Sequence, residues 1–116
     1  TIAAEKPAAL ALHDTDAARA QALAADVCAA FPGIICRAAL GSSTVLVNCT
    51  PAGMGHDQSL PCDAALIPDQ GAVFDIVNRV DTSLIEVAKA RGCRTEYGYA
   101  MMMAEVPLIL DWLLGA

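Results

Sequence analysis

Thr44-Val45-Leu46-Val47-Asn48-Cys49 is the stretch from which the architecture of this 116-residue chain is read. Its apolar residues are consecutive rather than alternating, and a strand of that kind is covered on both faces, as in a parallel sheet. Upstream, residues 8–12 (AALAL) form a second such run, closed by His13-Asp14-Thr15-Asp16, where Asp16 or Thr15 is placed to cap a helix. The cap introduces an Ala-rich helix over 17–31, with Leu23, Val27 and Ala30 at helical spacing and a stop at Pro32-Gly33. Residues 34–38 are a further short strand. Downstream, 50–62 (TPAGMGHDQSLPC) is a loop rich in proline and glycine, and 63–67 make one helical turn. A strand at 72–77 (AVFDIV), a helix over 82–91 closed by Gly92, a strand at 93–96 and a helix over 99–114 kinked near Pro107 complete the chain.

Strands alternating with helices at this spacing predict an α/β fold of βαβ units with a parallel sheet and right-handed crossovers. Hydrophobic residues make up 56% of the sequence and aromatic residues only 4%, which suits sheet and helix layers in close contact. A net charge of −6 argues against nucleic acid as a partner. It leaves room for one dinucleotide held by backbone N–H groups and a helix N-terminus. The five cysteines form no CxxC pair and have no metal-ligand spacing with His13 or His56, so reduced, mostly buried thiols, no metal and a cytoplasmic location are expected. No apolar run reaches the roughly 20 residues of a membrane span. The stretch 101–114 is broken by Glu105, Pro107 and Asp111 and is expected to be a buried helix without a membrane partner.

Ligands of doubly wound sheets lie outside the carboxyl ends of the strands, so the residues following each apolar run are the candidates. Asp14 follows the first. An acid there can accept from a ribose 2′-hydroxyl and repel a 2′-phosphate, which favours NAD over NADP; the competing reading is a helix-capping acid. Asn48, Cys49, Thr50, Gly53 and Met54 follow the third strand, residues 75–78 the fourth, and Gly98 to Met103 begin the last helix. The G-x-G-x-x-G turn that accompanies such an acid about 20 residues earlier has no counterpart in the 13 residues before Asp14. The expected architecture is therefore a partial sheet lacking its first strand and Gly-rich loop, with residues 1–7 as the tail of the first crossover helix.

Three segments carry a resemblance. LVNCTPAGM (46–54) resembles the IN-A-T-x-x-G-M signature of the shikimate dehydrogenase and quinate-shikimate dehydrogenase family. FDIVNRVDTSLIEVAKARGCRT (74–95) resembles its D-x-x-Y-x-P-x-x-T-x-L-L segment, and YGYAMMMAEVPLILDWLLG (97–115) its G-x-x-M-L-x-x-Q helix. The resemblance implies a Rossmann-like, C-terminal NAD(P)-binding domain, incomplete at its N-terminal side, that follows an N-terminal substrate domain this chain does not contain. It implies an oxidoreductase of aromatic amino acid biosynthesis, moving a hydride between NAD(P) and shikimate, quinate or a related hydroxy carboxylate.

The same resemblance sets Asp14 and Thr15 at the adenosine ribose, Asn48, Cys49 and Thr50 along the adenosine side, Ile76 at the nicotinamide region, and Gly98 with Met101 at its ring and carboxamide. Asn78 stands where the family has a substrate-facing tyrosine, and Glu105 where it has a substrate-binding glutamine. Catalytic residues are expected in the missing domain, and these 116 residues alone are expected to be inactive. The alternatives are a non-catalytic dinucleotide-binding or sensor protein, to which Asn78 and Glu105 lend weight, and a truncated piece that binds nothing. The apolar last helix implies association, as a homodimer or with the rest of the enzyme.

Overall fold

A computed structural model of the chain describes residues 2–39 and 41–115. It divides into two compact units, Thr1–Gly41 and Ser42–Ala116.

The first unit opens with a 3-10 turn at Ile2–Glu5, where the sequence predicts the end of a crossover helix; Thr1, part of that expectation, lies outside the described residues. Strand β1 (Ala9–Ala11), helix α1 (Ala17–Ala30) and strand β2 (Ile35–Arg37) follow, and β1 pairs with β2 in parallel, Leu10 opposite Cys36. Asp16 caps α1, its carboxylate accepting from Ala18 N at 2.9 Å and Arg19 N at 3.4 Å. The buried face of α1 is not the predicted one. Ala20 and Ala24 are buried, four residues apart on one face, while Leu23 is 51% exposed. Two small side chains at that spacing let a helix approach its neighbours closely, which a leucine in their place would hold off.

The second unit contains β3 (Val45–Asn48), β4 (Ala72–Asp75) and β5 (Arg94–Tyr97), all parallel in the order β3-β4-β5. Helix α2 (Ser83–Ala90) joins β4 to β5, and α3 (Gly98–Leu114) follows β5 directly. Leu46, Ile67, Val73, Leu84 and Ala88 form the core, with Leu60, Cys62, Val87 and Cys93 packed against it. The predicted turn at 63–67 is a 3-10 turn, Ala64–Leu66, capped by Asp63. Each unit is α/β with parallel strands, Rossmann-like in part: α1 joins β1 to β2 and α2 joins β4 to β5, whereas β3 reaches β4 through a loop with a 3-10 turn.

Two expectations are corrected. Helix α3 is one helix through Pro107, but past Gly98 its described side chains are exposed, Trp112 by 81%. The start of α3 packs against β5 and the end of β4. The cysteines are unpaired as expected, yet none is fully buried, and Cys28 and Cys49 are exposed at the surface of α1 and the end of β3. No described helix is long and apolar enough to cross a membrane.

In the intact protein, Leu84→Ala is expected to lower unfolding free energy by about 2–5 kcal/mol in urea denaturation. Leu23→Ala, on the exposed side of α1, should change it by no more than about 0.5 kcal/mol.

Candidate functional site

The parallel register of the second unit sets Asn48, Asp75 and Tyr97 side by side at the carboxyl ends of β3, β4 and β5. Everything that follows those three residues therefore emerges at one edge. Asn48, Cys49, Thr50, Ile76, Asn78, Gly98 and Met101 are gathered there, as the sequence predicts. Glu105 lies further along α3 and is exposed. Asp14 and Thr15 belong to the first unit, after β1. Asp14 is half-buried, and its Oδ1 accepts from Asp16 N at 2.9 Å and Thr15 Oγ1 at 3.5 Å. It shapes the turn into α1, while Asp16 is the cap.

The centre of the edge is a buried polar cluster. Asp75 is 0% and Asn48 2% exposed. Asp75 Oδ1 accepts from Asn48 Nδ2 at 2.9 Å and from Val77 N at 3.1 Å, and Oδ2 accepts from Thr82 Oγ1 at 2.7 Å. Asn48 Nδ2 also donates to Ala52 O at 3.3 Å, and Asn48 Oδ1 accepts from Thr50 N at 2.9 Å and Thr50 Oγ1 at 2.7 Å. The amide of Asn48 is thus saturated by protein, so any ligand at this edge meets the exposed Cys49 and Thr50 instead. Among the described residues no buried side-chain polar atom is left without a partner.

Around this cluster the loop after β3 is tied down twice. Asp57 Oδ2 accepts from Ser59 Oγ at 2.6 Å and Gly53 N at 3.1 Å, and its Oδ1 accepts from Ser59 N at 2.9 Å. Arg79 donates from Nη1 to Gly55 O at 2.7 Å and from Nε to Asp81 Oδ1 at 2.6 Å, so it links this loop to the one after β4. The Ser59 hydroxyl, with the Ser59 and Gly53 amides, holds the Asp57 carboxyl below its ordinary value, and the Arg79 guanidinium does the same for Asp81.

Gly98 allows the closest approach at the edge. A Cβ there would run into the carbonyl oxygen of Ile76 and come within 3.2 Å of Asn78 N. Its own N–H donates to Val77 O at 3.2 Å. The start of α3 is thereby pressed against the end of β4, with Ile76 and Met101 each 37% exposed beside it. Tyr97 and Tyr99 flank the glycine with their rings stacked, centroids 6.3 Å apart. This edge offers apolar surface, close-lying backbone and no nucleophile paired with a base. The space a Cβ at Gly98 would take is already filled by the Ile76 backbone, so any side chain there would push α3 away from the end of β4.

Sequence reasoning did not find the roles of Asp75, Thr82 and Arg79. The signal for the first was an aspartate inside the apolar run AVFDIV, since a carboxylate buried in a strand requires partners.

Asp57 and Asp81 have folded values below the unfolded one of about 3.9, so their stabilisation of the loop is complete above about pH 3.9 and lost as pH falls through the lower folded values. NMR titration of the Gly53 and Ser59 amides should give midpoints below about 3.9. Midpoints at or above it would contradict the hydrogen bonding described.

No protein-family model matches the chain. It is 35% identical over 105 residues to the shikimate dehydrogenase (NADP(+)) of Arthrobacter sp. strain FB24, covering 83% of this chain and 36% of that protein. It is 40% identical over 65 residues to the shikimate dehydrogenase (NADP(+)) of Archaeoglobus fulgidus, covering 54% of this chain and 24% of that protein. The chain thus spans about a third or less of the length of these relatives. Among solved structures, quinate dehydrogenase from Corynebacterium glutamicum in complex with NAD matches 85% of this chain and 38% of its own, with TM-score 0.70 and 28% identity. The ligand-free 5-ketofructose reductase of Gluconobacter sp. strain CHM43 shares the fold over 99% of this chain and 45% of its own, with TM-score 0.80 and 24% identity. By sequence and by fold, the chain is similar to shikimate and quinate dehydrogenases over the part of them that it matches.

Proposed function

We propose that this chain is the cofactor-binding part of an oxidoreductase that moves a hydride between a nicotinamide dinucleotide and a hydroxy carboxylate of the shikimate or quinate kind. The observation that carries the reading is the parallel register that brings Asn48, Asp75 and Tyr97 to one carboxyl edge, with Ile76 and Met101 partly exposed beside it. Cys49, Thr50 and the Thr50–Gly53 turn form the adenosine side, with Asn48 acting through that turn. Ile76, Gly98 and Met101 receive the nicotinamide end. The dinucleotide supplies the hydride chemistry when bound, and these residues orient it and exclude water.

The rest of the enzyme, in this reading, lies outside the chain. Each unit's strand order, β1-β2 or β3-β4-β5, is one found within doubly wound sheets, whose first strand carries the Gly-rich phosphate turn. A substrate domain preceding that strand contributes the proton-transfer groups, and Asn78 and Glu105 face the substrate. Asp14 uses Oδ1 for its own turn, which leaves its charge available to a ribose hydroxyl and unfavourable to a 2′-phosphate. This supports NAD over NADP, whereas the shikimate dehydrogenases it resembles are named for NADP(+) and the quinate dehydrogenase structure holds NAD.

A second reading, a dinucleotide-binding sensor without catalysis, is favoured by Asn78 and Glu105 in place of the resembled family's tyrosine and glutamine. Substrate-dependent reduction of NAD by the intact protein with shikimate or quinate separates the two. For cofactor choice, fluorescence titration is expected to give a lower Kd for NADH than for NADPH; the reverse order would remove Asp14 from its role. Glu105→Gln should raise kcat/KM for the carboxylate substrate by up to about fivefold, the effect of ~1 kcal/mol. Unchanged kinetics would mean that Glu105 lies away from substrate.

A further inference from the structure

Asp75 is the one fully buried carboxylate among the described residues, with no exposure to solvent. A carboxylate removed from water is costly unless hydrogen bonds compensate it, and it accepts without donating. That one-way character orders its surroundings. Because Oδ1 takes the Nδ2 end of Asn48, the other end of that amide must face the loop, where it accepts from both Thr50 N and Thr50 Oγ1. Thr50 Oγ1 in turn accepts from Ala52 N at 3.2 Å. Because Oδ2 takes the hydroxyl proton of Thr82, the oxygen lone pairs of Thr82 are left for Ile85 N at 3.3 Å, which caps α2. Gly53 closes the circuit: a Cβ there would lie 3.2 Å from Thr82 Cγ2, so the turn rests on the start of α2.

We propose that Asp75 is a positioning residue: by imposing hydrogen-bond polarity on Asn48 and Thr82, it holds the Thr50–Gly53 turn in the conformation that receives the dinucleotide. This rests on the dehydrogenase reading above. A neutral amide at position 75 has no such polarity. It presents a donor to Asn48 Nδ2, Val77 N or Thr82 Oγ1, all of which donate now, and Asn48 is then free to reverse its amide and release Thr50.

The test uses the intact protein, with NADH and NADPH titrated by fluorescence well below the melting midpoint, on samples whose far-UV circular dichroism matches the parent. Asp75→Asn is expected to raise the dinucleotide Kd by about tenfold or more, because hydrogen bonds to a charged group are lost. Thr82→Val, which deletes the hydroxyl behind the turn, should weaken binding in the same direction, and Thr82→Ser, which keeps it, should bind as the parent does. Should Asp75→Asn not fold, the Thr82 pair decides alone. Variants that melt earlier but retain the parent Kd would overturn the proposal, since a purely structural role predicts that pattern. A parent protein that binds neither dinucleotide would overturn the dehydrogenase reading itself, whereas a binding parent with unaffected variants would overturn only the role of Asp75.

Discussion

The second unit depends on a carboxylate where a strand core would ordinarily hold an apolar side chain. Removing Asp75 from water costs several kcal/mol, and the chain offsets this with donors from the end of β3, the backbone after β4 and the N-cap of α2. Val77 and Thr82 are near neighbours of Asp75 in sequence while Asn48 is 27 positions away, so satisfying one anion ties the end of β3 to the end of β4 and the start of α2. Below this level the sheet is held by Leu46 and Val73 packed against Leu84 and Ala88. Above it, the loop after β3 and the start of α3 have a shared floor on which to present backbone and apolar surface.

A contrast runs through the same unit. Residues 45–97 enclose a well-packed core, whereas α3 leaves it with Leu108, Trp112, Leu113 and Leu114 more than 60% exposed. A water-facing helix ordinarily carries one apolar stripe, and this one is apolar around most of its circumference. Among the described residues at the edge, no nucleophile is paired with a base.

Much of this architecture was legible in the residues. The strands ending in Asn48 and Asp75 are read from apolar runs, and Asp16 announces the helix it caps. What stayed hidden depends on neighbours that sequence spacing does not reveal. The buried face of α1 is made by Ala20 and Ala24, whose small size gives no periodic signal beside Leu23. The Asn48–Asp75 bond spans 27 positions and the Arg79–Gly55 bond 24, so neither follows from a local motif. Asn48 was correctly placed at the edge, but its saturation by Thr50, Ala52 and Asp75 makes it an organiser of the turn. The resemblance read from 46–54, 74–95 and 97–115 agrees with the related dehydrogenases, and it located the edge better than it described the bonds within it.

The account turns on where a dinucleotide would lie, and a crystal structure of the intact protein grown with NADH measures that directly. The nicotinamide ring is expected against Gly98 and Met101 beside Ile76, with the Thr50–Gly53 turn in its present conformation and Asp75 still bonded to Asn48 and Thr82. A dinucleotide bound away from the carboxyl ends of β3, β4 and β5, or a turn rebuilt around it with the Asn48 amide reversed, would contradict the account.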